Sequence, residues 1–463
     1  MMQMRTGWRP LIFMLTMAAS LAVYLYLNTN GSFRFREIRG FLNYDMLAEA
    51  ILEGQLHLKI PPHPGRIGAA NPIDPALPYP FLIDAIIWDG KHYFLQEPVP
   101  GFVHALFVVL VGGPCPTGLM VIAFAAGCLI GLWSVLRIVQ ESFAPGEQWT
   151  VWLTWLCFAL SGAQLYMVSR PVVYHESIVA GMFFIVWGTY FFVSWAHRER
   201  HFIWLGVAAL MWGLGVACRI TLVFYPAIFA ACGLYLSVKQ RQTPAALGSS
   251  AACLTIPVAA TVFLLLFYNY YRFGDFLDFG RTHVIVPAKH FYVYMMLMDN
   301  AFRTAHVPYN LYHYFLALPG FSLQSPFLIH PHYDLAYRED VVMSREVVSS
   351  FLFTMPALLF VIPTKSVIQR FRDRPVVAAV VTACGVASLL TFLLLLCYYR
   401  AVSRYLYEFT PLLFPLILCN VAVWWKNTET SVGARRALML AIAAVLVLNV
   451  LGGVFLGLNG MKQ

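Results

Sequence analysis

Six stretches of this 463-residue chain, 11–27, 148–169, 177–196, 220–238, 375–399 and 437–461, contain no Asp, Glu, Lys or Arg. Each is close to the ~20 residues that, at ~1.5 Å rise, cross a ~30 Å hydrocarbon core. Lipid offers the backbone no hydrogen-bond partners, so such runs must close their own bonds as helices. Composition agrees: 11% of residues are charged and 60% hydrophobic, where a water-soluble domain carries roughly a quarter charged. The chain reads as an all-α polytopic membrane protein.

Topology follows from the basic residues. The run 98–136 is too long for one span and is broken by Gly112-Gly113-Pro114-Cys115-Pro116. If its first piece, 98–111, does not cross, fourteen Lys or Arg in six short segments fall on one side. These are Arg5/Arg9, Arg137, Arg198/Arg200, Lys239/Arg241, Lys365/Arg370/Arg372/Arg374 and Lys426/Arg435/Arg436. Crossing would break the positive-inside rule in every later loop. The expected spans are then about eleven: 11–27, 117–137, 149–168, 177–196, 202–218, 220–238, 249–271, 347–364, 376–398, 405–425 and 437–459. The first, behind Arg5 and Arg9, lacks a small-residue cleavage site and reads as an uncleaved anchor. The N-terminus is expected in the cytoplasm of a plasma membrane, bacterial inner membrane being the reading preferred. The chain is expected to form a single membrane domain, 1–463, with two long segments, 28–116 and 272–346, on the outer face. The net charge of +9 belongs to the cytoplasmic loops, so no nucleic-acid partner is expected; membrane lipids are.

The outer segments are not linker-like. Asp45, Glu49 and Glu53 recur every fourth residue, with Met46, Leu47, Ala50 and Ile51 between them. That pattern predicts a surface helix with its acids toward water. Asp89-Gly90 between 85–88 and 91–95 predicts a hairpin. The aromatic stretch 307–329, interrupted by Pro319-Gly320, is expected to dip into the interface without crossing. Nine cysteines sit nearly all in apolar runs with no Cys-x-x-Cys, which argues against a disulfide framework; Cys115 alone reads as an exposed thiol.

An enzyme of lipid-linked substrates needs a carboxylate to take a hydroxyl proton and cations to hold a phosphate. The outer face supplies Asp45, Glu49, Asp89, Glu97, Glu176, Asp275 and Asp278, and Arg170, Arg219, Arg272, Arg281, Lys289, Arg303, Arg400 and Arg404. Arg219 lies between two apolar runs; it is either functional or snorkels to headgroups. Glu176 is either functional or a polar helix start. Arg404 and Glu408 are spaced to pair with each other across one helical turn. His330 and His332 are a thin donor set, so no metal is expected. There is no glycine-rich phosphate loop and no Ser-His-Asp order, so no cofactor is expected.

Four segments carry a family resemblance: Asn43-Tyr44-Asp45-Met-Leu-Ala48-Glu-Ala50-Ile-Leu-Glu-Gly54-Gln-Leu56; Tyr93-Phe-Leu-Gln-Glu97-Pro98-Val-Pro100; Ser169-Arg170-Pro171-Val-Val-Tyr174-His-Glu176; and Tyr268-Asn-Tyr-Tyr-Arg272-Phe-Gly274-Asp-Phe-Leu-Asp278-Phe-Gly280. The chain resembles the GT-C superfamily of membrane glycosyltransferases, bacterial type. The resemblance implies a glycosyltransferase (hexosyl- or pentosyltransferase) that moves sugar from a polyprenyl-phosphate donor to a glycan, lipid or protein acceptor at the outer face, with inversion. It implies Asp45 as base, Glu49 and Glu176 as further acids, and Arg219, Arg272, Arg281 and Arg404 as phosphate ligands. Many members carry a second acid directly after the first; here that position is Met46, which leaves open whether Asp45 works alone or with Glu49. A transporter or lipid flippase, or a membrane protein without catalysis, are the alternatives.

Overall fold

Whether each apolar run becomes one straight helix depends on prolines and on what can cover a broken backbone. The computed structural model describes residues 9–35, 42–74, 76–198, 201–285, 301–322, 328–329, 350–428 and 431–461. In chain order come helices α1 (Arg9–Asn28), α2 (Tyr44–Leu52) and α3 (Pro64–Ile67), the hairpin β1 (Ile86–Trp88) and β2 (Lys91–Tyr93), then α4 (Val99–Val111), α5 (Thr117–Phe143), α6 (Gln148–Ala159), α7 (Gly162–Ser169), α8 (Val173–His197), α9 (Phe202–Val216), α10 (Phe224–Lys239) and α11 (Pro244–Phe273). Helices Pro375–Leu396, Phe414–Asn427 and Val432–Gly460 follow.

Among the described residues seven helices are long and apolar enough to cross a membrane: Leu11–Asn28, Thr117–Phe143, Val173–His197, Ile220–Lys239, Pro244–Phe273, Pro375–Leu396 and Val432–Gly460. The protein is a mostly helical, multi-pass membrane protein. α8 is the central span, with 78% of its apolar window buried inside the protein. α11 and Val432–Gly460, at 22% each, turn most of their surface outward.

Several expected spans are interrupted. The 149–168 span is the α6–α7 pair, bent by 44° at Leu160-Ser161. Freed carbonyls there find buried side chains: Tyr24 Oη donates to Ala159 O (2.6 Å) and Asn449 Nδ2 to Cys157 O (2.6 Å). The 202–218 span is the 15-residue α9. Residues 347–364 yield, where described, only Phe351–Thr354 and a 3-10 turn, Pro356–Val361. Residues 405–425 begin as 3-10 turns, Ser403–Glu408 and Pro411–Leu413, before Phe414–Asn427. Pro356, Pro411 and Pro415 lack the amide an α-helix needs there. Non-helical backbone at membrane depth is tolerated only inside protein, and every residue from 401 to 412 is buried.

α4 has 13 residues, about 20 Å, short of a ~30 Å core. Phe102, Leu106, Val109 and Leu110 are exposed, while Gly101, His104 and Ala105 face inward. In the segment 28–116 the hairpin forms as expected, with Asp89 (φ 47°) and Gly90 (φ 66°) at its turn. Val284 and His57 add isolated bridges to its two strands, so the start of the second long segment is docked on the first. The buried Arg66 guanidinium donates to the carbonyls of Pro72, Asp74, Leu77 and Tyr79, holding that loop by its backbone. Cys115 is buried, not exposed. Arg5, Arg200, Lys289, His330 and His332 lie outside the described residues; of 307–329 only 323–327 do, and the rest forms the short helix Val307–Leu311, a π-turn Tyr312–Leu316 and the antiparallel pair of Gly320–Phe321 with Leu328–Ile329.

The Val432–Gly460 helix reaches α7 through small residues. A Cβ added at Gly453 would overlap Leu160 O, and one at Gly457 would meet Leu27 Cδ1 at 3.0 Å. Without a hydrophobic drive between helices in lipid, close packing of small residues is what holds them. Gly453→Val should therefore lower stability by about 1–3 kcal/mol, read as an earlier thermal transition in detergent, while Gly433→Val, with open space around it, should leave the transition unchanged.

Candidate active site

The acid expected on the water-facing side of α2 is turned inward. Asn43, not Asp45, caps the helix: Asn43 Oδ1 accepts from Met46 N (3.1 Å). Asp45 is thereby released from capping. Its Oδ1 accepts from His104 Nδ1 (2.8 Å) and from Cys115 N (3.1 Å). The other ring nitrogen, His104 Nε2, lies 2.5 Å from Glu176 Oε1. The side chains of His104 and Glu176 are wholly buried, whereas that of Asp45 keeps 18% of its surface. Asp45 is the one member of the trio that solvent, or a substrate, can reach.

Each element contributes for a local reason. α4 offers His104 as its one titratable side chain, on the face that also carries Gly101 against Leu47 of α2. Pro171 starts a new helix at Val173, so Glu176 falls in the first turn of α8, where the helix dipole favours an anion. Burial pulls the His104 imidazole toward neutrality, but its bonds to Asp45 and Glu176 more than offset this and raise its pKa from 6.5 to about 9.

A second constellation lies on the broken helices. Arg219 stands in the gap between α9 and the 3-10 turn Ile220–Val223, in extended backbone (φ −159°). Its Nε donates to Glu408 Oε1 (2.9 Å), Thr221 Oγ1 donates to Glu408 Oε2, and Tyr225 Oη to Glu408 O (2.9 Å). The partner of Glu408 is thus Arg219, not Arg404 alone on a helical turn; 403–408 is 3-10, so the four-residue spacing does not apply. Arg219 does not snorkel: its side chain is 15% exposed and ion-paired. Arg404 stacks over Tyr174 and Tyr405 (5.2 Å to each centroid), Arg219 over Tyr405 (5.5 Å) and Arg400 over Tyr399 (5.1 Å).

Tyr174 joins the two constellations. Its hydroxyl donates to Asp84 Oδ2 (2.6 Å). Asp84 holds a left-handed backbone (φ 64°), a strained conformation for any residue but glycine. Burial holds its carboxyl above the usual carboxylate range, against the bond from Tyr174 and the charges of Arg404 and Arg400.

The remaining expected residues stand apart. Glu49 is exposed on α2. Arg272 is buried and committed to Phe94 O (2.8 Å) and Asn269 Oδ1 (2.7 Å), stacked on Tyr268 at 4.0 Å; it fastens α11 to the first outer segment. Arg281 is exposed on the turn Arg281–His283. His104 and Asp84 were missing from the expected site. Both have a signal: each is a lone titratable group in an apolar run, 98–111 and 80–88 respectively up to its final Trp.

Comparison with protein-family models finds no match, and neither does comparison with curated protein sequences. Solved structures do match. ArnT from Cupriavidus metallidurans, in the apo state, aligns with a TM-score of 0.51 at 12% identity over 98% of this chain and 76% of that one. The oligosaccharyltransferase AglB from Archaeoglobus fulgidus, in complex with an inhibitory peptide and a dolichol-phosphate, aligns at 0.48 and 11% over 98% of this chain and 56% of that one. The apo form of the Archaeoglobus fulgidus enzyme gives 0.48 and 12%, and this chain again spans 56% of its length. The likeness is one of fold. This chain has the fold of ArnT.

The Arg219–Glu408 pair carries a stability prediction. Removing one member of a buried pair strands the other charge, at a cost of about 3–5 kcal/mol. Glu408→Ala should destabilise more than the double replacement Arg219→Ala/Glu408→Ala, in thermal melts of detergent-solubilised protein. Additive losses would show that the two side chains are not coupled.

Proposed function

We propose that the chain is a glycosyltransferase that moves a sugar from a polyprenyl-phosphate donor to an acceptor hydroxyl at the outer face of its membrane. The observation that carries this reading is Asp45, in the first turn of α2: an oriented carboxylate, tied down through Oδ1 and still 18% exposed. The Arg219, Arg400 and Arg404 group, gathered on Tyr399 and Tyr405, is the phosphate side of the same site. Arg281 serves it from the rim, and Arg272 supports the wall. Glu49, on the outer surface of α2, is free for contact with an acceptor.

In this reading Asp45 takes the proton of the acceptor hydroxyl as that oxygen bonds to the anomeric carbon. The bond from that carbon to the phosphate oxygen breaks, and its electron pair leaves with polyprenyl phosphate. Attack opposite the leaving group inverts the anomeric centre. The leaving phosphate ester needs no proton; fixed guanidinium groups stabilise its charge. A transporter would call for a substrate cavity near the membrane midplane, whereas the charged groups described here gather around the outer segments.

Two experiments test the reading. Asn keeps the shape of Asp but is no base, so Asp45→Asn should fold and bind donor like the wild type, yet transfer sugar at least about a hundredfold more slowly in an assay of purified protein with a panel of polyprenyl-phosphate sugars. Undiminished transfer by folded Asp45→Asn protein would refute the base. The orientation, with the N-terminus and the basic loops in the cytoplasm of a bacterial inner membrane, requires that a cysteine label near Arg370 report the inside and one near Asp89 the outside. Labelling of both from one side sinks that topology.

A further inference from the structure

His104 raises a question of proton count. Both ring nitrogens lie within hydrogen-bond distance of carboxylate oxygens, 2.8 Å from Asp45 and 2.5 Å from Glu176. With both carboxyls ionised they only accept, and two such bonds then require hydrogens on both nitrogens. The ring is then an imidazolium, and the trio carries two negative charges and one positive. Two carboxylates sharing a dry pocket with no cation between them would repel, and one would take up a proton. The Glu176 side chain is wholly enclosed and its Oε2 has no partner among the described residues. It touches nothing outside the protein, and so it serves as a counter-ion rather than as a base.

We infer that His104 is a positioning residue, a built-in cation clamped between Asp45 and Glu176 that keeps Asp45 ionised and aims its free oxygen at the substrate. The catalytic half of this inference rests on the glycosyl-transfer reading; the charge half does not. Asp45 Oδ1 is filled by His104 and by the Cys115 amide, which leaves Oδ2, on the only exposed side chain of the trio, for an incoming hydroxyl. When that proton arrives on Asp45, His104 stays charged and the trio passes from one net negative charge to none. His104 neither gives nor receives a proton in the cycle, and no other reactant is needed.

The groups that face the ring are Asp45 and Tyr44 of α2 and Glu176 of α8, with Cys115, ahead of α5, bonded through its amide to the same Asp45 oxygen. Burial, with the charges of Asp45 and Glu176, pushes the Cys115 thiol up to about 12, and burial holds the Tyr44 phenol well above its ordinary value. Neither titrates between pH 6.5 and 9. The imidazole is raised from 6.5 to about 9, so its stabilising charge is fully present below about 6.5 and is lost as pH rises through about 9.

Three measurements on full-length protein in detergent test this. The thermal transition of wild type should fall as pH rises from about 6.5 to about 9, and that slope should be absent in His104→Gln and weaker in Glu176→Gln. Equal slopes in wild type and His104→Gln overturn the assignment, whether or not any sugar is transferred. In transfer assays His104→Gln should lower kcat about tenfold or more while the KM for donor stays within about twofold; wild-type kcat overturns the positioning role. His104→Gly should regain transfer when imidazole is added, with rescue fading as the added imidazole deprotonates. Rescue that instead grows with the neutral base would show a proton acceptor and overturn the permanent charge. If the wild type transfers no sugar from any donor, the glycosyl-transfer reading fails while the melting slopes still decide the charge of His104.

Discussion

Backbone amides and carbonyls cannot be left open in lipid, and this one constraint decides where the protein can afford irregular structure. Among the described residues, irregular backbone beside the spans lies where neighbouring segments can cover it. The bend at Leu160-Ser161 is covered by Tyr24 and Asn449. The gap at Arg219 and the turns of 403–413 cover each other through Glu408. The restart at Val173 exposes the first turn of α8 to the outer segments. The polar chemistry gathers at these breaks because they are where the chain already needs hydrogen-bonding side chains inside protein. Arg219, Glu408 and Glu176 are all placed at or beside one.

Such breaks explain what could and could not be read along the chain. Long uncharged runs announce helices because only helices survive in lipid, and 375–399 and 437–461 became straight ones. Runs holding Pro356, Pro411 or Pro415 did not: each of these prolines stands in the first turn of a new helical piece, whereas Pro257 is carried inside the unbroken α11. The Asp89-Gly90 hairpin was legible because its two positive φ angles are a local demand. The direction in which Asp45 points was not. Four-residue spacing puts Asp45, Glu49 and Glu53 on one side of α2, yet the first turn alone meets α4 and the Cys115 amide, so Asp45 turns inward while Glu49 stays exposed. Partners from elsewhere in the chain made that choice.

Arg219 shows the same limit from the other side. Its oddness, a cation between two apolar runs, is plain in the sequence; its partner is 189 positions away. Arg404 and Glu408 look like partners only if their segment is an α-helix. Once the segment is 3-10, Glu408 is free to face the gap in the neighbouring helix, and Arg404 to lie between Tyr174 and Tyr405. With Glu408 held by Arg219, the Arg404 guanidinium lies over the rings of Tyr174 and Tyr405, which attract a cation through their faces.

In the proposed reaction Asp45 and the cations would have to hold a fixed separation, since a donor phosphate and an acceptor hydroxyl would approach opposite sides of one sugar carbon. Asp45 sits on a short surface helix and Arg404 on an irregular turn, neither of which is rigid alone. Both are referred to α8. Tyr174 and Glu176 are two residues apart in its first turn, so their side chains leave the helix about 200° apart. Glu176 reaches the His104–Asp45 side, and Tyr174 the Asp84–Arg404 side. The distance between Asp45 and Arg404 is therefore set across the end of the most deeply buried span. Asp84 completes the frame. Its strained residue lies just ahead of the hairpin, which Val284 from the stretch after α11 joins, so both long segments are tied to the same end of α8, between Asp45 and Arg404.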